Sequence, residues 1–201
     1  MKITIDSDSV DIERNATDSF KVYYQRVASW LLIRNRCISA FKINGRMIKN
    51  EVEGENLYTQ AEDVEVESVP LKVALQAAIA LQCNTVRKLE NDCLNLVTDC
   101  LLAEPKQIVD SWKLLCVELN QVLGFIPTLA PVLTDEQVTG LTDQKFANLS
   151  TIMKDINEAM NKPDVVTVSD ILELRLLPWM VSLREFFQAQ IPVIDSLESP
   201  V

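Results

Sequence analysis

The chain of 201 residues contains no histidine. That absence removes Ser-His-Asp and Cys-His nucleophile systems, HExxH zinc sites and imidazole general bases together. It also removes the Glu-x-x-His pairs of ferritin-like di-iron bundles. Only four glycines are present, Gly45, Gly54, Gly124 and Gly140. None is spaced as GxGxxG, or as GxxxxGK followed by Ser or Thr, so neither a dinucleotide-binding turn nor a P-loop can be built. No window reaches about 18 uncharged apolar residues, so no membrane span is expected. Residues 1–13 alternate charged and apolar side chains without a continuous apolar run, which predicts no secretory signal. Positive charge is scarce: 19 Lys and Arg stand against 29 Asp and Glu, a net charge of -10. Such a balance repels nucleic acid and anionic membranes and favours solubility.

What is present is an ordinary globular composition, with 48% apolar and 24% charged residues. The five cysteines, Cys37, Cys83, Cys93, Cys100 and Cys116, are odd in number and lack CxxC spacing. They read as free thiols of a reducing compartment, not as metal ligands, and the expected location is the cytoplasm. No cofactor is expected.

The remainder of the chain is organised around Leu71–Ala103, a run without proline or glycine. Leu75, Ile79, Gln82, Val86, Leu89, Cys93, Leu96 and Cys100 recur at steps of three and four. The spacing predicts one helix face, interrupted only by Gln82, on a helix roughly 45–50 Å long. Gln82 is therefore the candidate buried polar residue, fixing register by hydrogen bonding or lining a pocket. Three cysteines fall on this helix, two of them on the stripe.

Residues 1–70 read differently. Ile3 and Ile5 alternate with polar neighbours, residues 6–9 have turn composition, and Val10 and Ile12 alternate again, which predicts a hairpin. A helix is expected from Thr17 to Arg34, with Thr17 or Asp18 as N-cap. Phe20, Tyr23, Tyr24, Val27, Trp30 and Leu31 form its apolar side, and Leu32 and Ile33 extend it toward cover on two sides. A strand follows over Ile38–Ile43. Asn44-Gly45 is the strongest two-residue hairpin signal and leads to a short return strand at Met47 and Ile48. Residues 49–62 are polar and read as irregular. Asp63–Val69 alternates as a strand, closed by Pro70.

This β-β-α-β-β-β order, with a short fourth strand and a long connection before the fifth, resembles the ubiquitin-like β-grasp fold over residues 1–70. The resemblance implies a small interaction platform. Pro70 leads directly into the long helix, so there is no Gly-Gly tail and no conjugation role is implied.

Beyond Leu71 every segment has helical period. Pro105 opens a second helix that runs to Leu123, with Ile108, Trp112, Leu115, Leu119 and Val122 on its face and Gly124 as its close. Residues 125–133, from Phe125 through Ile126 and Leu129, form an apolar connection with two prolines. Thr134 and Gln137 mark a capping box for a third helix, which runs to Asn161 through Phe146, Leu149, Met153, Ile156 and Met160, with Gly140 interrupting its first turns. A fourth helix is expected over Ser169–Gln188, capped within Thr167–Asp170 and kinked at Pro178, with Leu172, Leu176, Trp179, Leu183 and Phe186 inward. Short connections favour antiparallel neighbours. The predicted fold is therefore α+β: a small β-grasp-like domain over 1–70, an antiparallel four-helix bundle over 71–194, and a frayed tail over 195–201.

Acid–base chemistry would have to come from carboxylates such as Glu90, Asp92 and Asp99, or Asp170 and Glu173, which read as solvated helix faces. No catalytic residue is assigned and no enzyme is expected. The candidate interaction surface is Phe125, Ile126 and Leu129 with Arg175 and Trp179 beside Pro178, together with the outer side of the Thr17–Arg34 helix. In size, charge and helix content the chain is similar to the small acidic helical chaperones of bacterial secretion systems and flagella. The expected function is a non-catalytic protein–protein interaction module, an adaptor or an assembly or export chaperone with a protein partner. The alternatives are a structural homodimer joined through the long helix, and a small-ligand binder or enzyme with an apolar bundle pocket.

Overall fold

The computed structural model describes residues 2–13, 15, 17–129 and 135–196, with residues 135–147 described as backbone only. Thr134, residues 130–133 of the apolar connection, the side chain of Phe146 and residues 197–201 of the tail lie outside these. The protein is α+β: an N-terminal five-stranded mixed sheet is followed by helices. The chain divides into two compact units, one reaching to Ala77 and one running from Ala78 to Asp195.

In the first unit, β1 (Lys2–Ile5) and β2 (Asp8–Ser9) form the opening hairpin. The turn is Asp6-Ser7 alone, with φ of 51° and 76°. Its return strand is therefore earlier and shorter than Val10 and Ile12 suggested. Helix α1 (Phe20–Leu32) starts later than expected, because Ser19 and not Thr17 or Asp18 is the N-cap. Asp18 instead takes the Arg26 guanidinium at 2.7 Å and the Asn15 amide. Only one side of α1 is covered, through Phe20, Tyr23, Val27 and Leu31; Val22, Leu32 and Ile33 stay exposed.

Strand β3 (Arg36–Ile43) turns through Asn44-Gly45, with φ of 50° and 75°, into β4 (Arg46–Met47). Residues 49–62 are not irregular: they hold α2 (Glu51–Tyr58). Asn50 caps it by accepting from the Glu53 amide at 2.9 Å, and Glu53 in turn accepts from the Lys49 amide. Glu55 of α2 accepts from the Phe20 and Lys21 amides, satisfying donors that open α1. Strand β5 (Asp63–Pro70) lies centrally in the order β2-β1-β5-β3-β4, parallel to β1 and antiparallel to β3. Ile3, Ile5, Phe41, Ile43, Val64 and Val66 meet the buried face of α1 in one core.

Helix α3 (Leu71–Leu102) has the expected span, but Cys83 and not Gln82 continues the buried stripe. Gln82 is half-buried, so the stripe is unbroken and carries all three helix cysteines. In the second unit, α4 (Pro105–Phe125) buries the five residues expected of it. Gly124 does not close it: the helix passes through to a 3-10 turn over Ile126–Leu129. Helix α5 (Asp135–Asn161) is continuous through Gly140 and buries Leu149, Ile152, Ile156 and Ala159, while Met153 and Met160 sit half-buried at the margin.

The last helical stretch begins earlier than expected, as α6 (Val165–Ile171) capped by Asp164. A π-helical turn over Leu172–Leu176 joins it to α7 (Leu177–Asp195). Pro178 has no N–H and its ring would press on the Leu174 carbonyl in a regular α-helix. The wider π turn takes up that misfit. Helix α7 also continues through Pro192 to Asp195.

Candidate interaction groove

The short return strand sets the geometry of the candidate site. After the Asn44-Gly45 turn, β4 pairs only with Lys42 and Ile43, and Ile48 then donates to the Phe41 carbonyl at 2.8 Å. The Asn50 cap next directs the chain into α2. Among the described residues, no strand covers the outer edge of β3 from Arg36 to Ala40. On the other side of β3, the pairing with β5 shifts register at a bulge at Ser39.

The outer ridge of α1 runs beside it, with Tyr24, Ala28 and Leu32 one helical turn apart. Two clefts lie between helix and edge, of about 350 Å³ and about 520 Å³. Both are lined by Tyr24 and Ile38. The smaller adds Phe20, Phe41, Met47 and Ile48; the larger adds Leu32 and Cys37. Tyr24 stacks against Phe20 and Phe41 with ring centroids 5.8 and 5.5 Å away, which fixes the ridge.

The charges around the smaller cleft run against the composition of the chain, since Lys21 and Lys49 line it against the single carboxylate of Glu51. The Arg36 charge at the larger cleft is met within the chain by Asp6. Lys21 and Glu51 approach to 3.5 Å and both are well exposed. Arg36 is fixed by Ser68 Oγ at 2.6 Å, the Ser68 carbonyl at 3.0 Å and Asp6 at 3.1 Å. Burial raises the pKa of the Tyr24 hydroxyl, with the Cys37 thiolate adding to it, and burial likewise raises Cys37. Both are therefore neutral near pH 7, and the floor is apolar with Lys21 and Lys49 at one end.

The residues singled out from sequence fall elsewhere. Ile126 and Leu129 are buried in the helical unit, and Phe125 is half-buried with its ring 6.1 Å from Phe187. Of the connection up to Leu129, Ile126 and Leu129 are core, while Pro127 and Thr128 are exposed. Trp179 is also buried, at 8% exposure, on the wall of a cleft of about 450 Å³ between α5 and α7. Arg175 lines the same cleft and pairs with Asp155 at 2.6 Å, so its charge is answered within the chain. Glu90 pairs with Arg184 at 2.8 Å, Lys88 bridges Glu118 and Asp92, and Asp170 and Glu173 are solvated.

The outer side of α1 was the one expected surface that is open. The groove beside it was not legible, because it exists only where β4 stops. The Asn50-x-x-Glu53 cap was the available signal that the chain leaves the sheet at that point. Among the described residues, no helix is long and apolar enough to cross a membrane, and no acidic or cysteine cluster is placed to hold a metal. No protein-family model matches the chain, and no curated protein or solved structure matches it.

Proposed function

We propose that the protein is a non-catalytic interaction module that holds a segment of a partner protein in the groove between α1 and β3. The observation that carries this reading is the open β3 edge lying beside an apolar floor with Lys21 and Lys49 at one end. Exposed strand edges and contiguous apolar grooves are the surfaces by which folded domains take up peptides. The β-grasp resemblance of residues 1–70 belongs to the same proposal, supported by the succession of elements, the two-residue β4 and the central β5.

The helical unit serves as a four-helix bundle in this account. Lys88–Glu118 joins α3 to α4, Arg184–Glu90 joins α3 to α7, and the Trp112 indole donates from α4 to Asn157 of α5 at 3.1 Å. Arg175–Asp155 completes the ring from the π turn to α5. An adaptor or assembly chaperone working in a reducing cytoplasm fits the five free cysteines. Dimerisation through α3 has less support, because the stripe from Ile79 to Cys100 is already buried.

Affinity capture from a lysate of the protein's own source tests the reading. Wild type is compared with Tyr24→Glu combined with Met47→Glu, and with Leu114→Glu on exposed α4 as control. A stoichiometric protein retained by wild type and control but lost from the groove variant, at unchanged circular dichroism, is the expected result. Equal retention by all three, or none by any, contradicts it.

A further inference from the structure

Resting on that reading, we infer that the occupant of the groove is an extended, acidic-flanked segment of a different protein, added as a strand to β3. Three features select this occupant over a helix or a second copy of the chain.

The first is the free backbone edge. From Arg36 to Ala40 it offers a ladder to an incoming strand, which a helix cannot use because its own backbone bonds are closed. β4 occupies the far end of β3, so the added strand is short and stops near Ile48 and Lys49. The second is the pair of clefts sharing Tyr24 and Ile38. Alternate side chains of a strand project to the same face about 6.6 Å apart. Two apolar side chains at i and i+2 therefore enter the two clefts on either side of that shared ridge.

The third is charge. Lys21 and Lys49 line the smaller cleft with Glu51 as its one carboxylate, in a chain whose acids outnumber its bases 29 to 19, while Arg36 is already met by Asp6. Arg46 on β4 adds an exposed cation at the same end. Acidic residues flanking the apolar pair meet this rim favourably. A second copy does not: its own β3 edge, Arg36–Ala40, carries no carboxylate to bring to that end. The Ser39 bulge also raises the local twist, which opposes flat edge-to-edge pairing of two rigid sheets. A flexible segment follows that twist.

The test uses the full chain, immobilised and panned against a library of random peptides about 12 residues long, enough to span the edge with flanks. Enriched peptides are expected to carry two apolar residues at i and i+2 with Asp or Glu beside them. Bound to the isotope-labelled chain, the selected peptide should protect backbone amides within Arg36–Ala40 from exchange. Lys21→Glu with Lys49→Glu, both surface changes, should weaken the selected peptide by about tenfold at low salt. Raising the salt should shrink that difference. Selected peptides without acidic residues, binding indifferent to the charge reversal, or protection outside β3 would overturn the inference. So would a concentration-dependent dimer that protects the same amides. If a partner is captured through Tyr24 and Met47 while β3 amides stay unprotected, strand addition fails and the interaction module stands. If neither is seen, both fall.

Discussion

Gly54 has no room for a side chain. A Cβ built there would overlap the Phe20 ring, which is itself buried and held edge-on by Phe41 and Tyr58 at 5.5 and 6.1 Å. Alanine is favoured over glycine in a helix by about 1 kcal/mol, but overpacking a rigid core costs about 1–3 kcal/mol. The packing term wins because the ring cannot swing away, so Gly54→Ala is expected to lower unfolding stability by about 1–2 kcal/mol in urea. Combining it with Phe20→Leu should recover part of the loss. Cys93 gives a second prediction at this scale. Burial, with Cys100 as a lesser cause, pushes its thiol to about 12, and burial pushes Cys116 to about 11, from an ordinary 9.0. A folded-state pKa raised above the unfolded one leaves stability intact below pH 9.0 and removes it as pH rises toward 12. Each such thiol contributes a slope of at most about 1.4 kcal/mol per pH unit in that window. The urea midpoint should therefore fall between pH 9 and 11, and fall less steeply in Cys93→Ala.

Helix α2 is the element on which the groove depends, since it draws the chain away from β3 after only two residues of β4. Asn50→Ala removes its N-cap and should cost about 1 kcal/mol, with amide exchange accelerating first within Glu51–Tyr58. Faster exchange spread evenly over the first unit would contradict a local role for the cap. This element was also the least legible in the sequence. Its apolar residues are few, so no helical period stands out over 49–62, and the start is marked only by the local Asn50–Glu53 cap. By contrast α3 and α4 were legible almost to the residue, because long apolar stripes and Pro105 fix their phase and start. The exchange of Gln82 for Cys83 arises where the buried face drifts round the helix, and a fixed step rule does not follow such drift. Pro178 was expected to kink its helix, and composition does not say that a π turn will precede it instead. Ile126 and Leu129 show the same limit: apolar residues in a connection are equally compatible with core and surface, and only the fold decides which.

At the scale of the whole molecule, an acidic chain of net charge -10 carries an apolar groove on its N-terminal unit with Lys21, Lys49 and Arg46 at one end. In the proposed function that local excess of positive charge, and not the helical faces first singled out, marks where a partner is recognised. Arg175 and Glu90 have their charges met inside the chain, so substitution there should act on stability and leave partner capture intact. Arg175→Gln is expected to retain the captured protein fully while shifting the urea midpoint. The most direct measurement of the central claim is hydrogen–deuterium exchange by mass spectrometry on the chain alone and on the chain with its captured partner. Slowed exchange confined to peptides covering β3 and the outer turns of α1 is expected. Slowed exchange confined to the helical unit, with β3 unchanged, would contradict it.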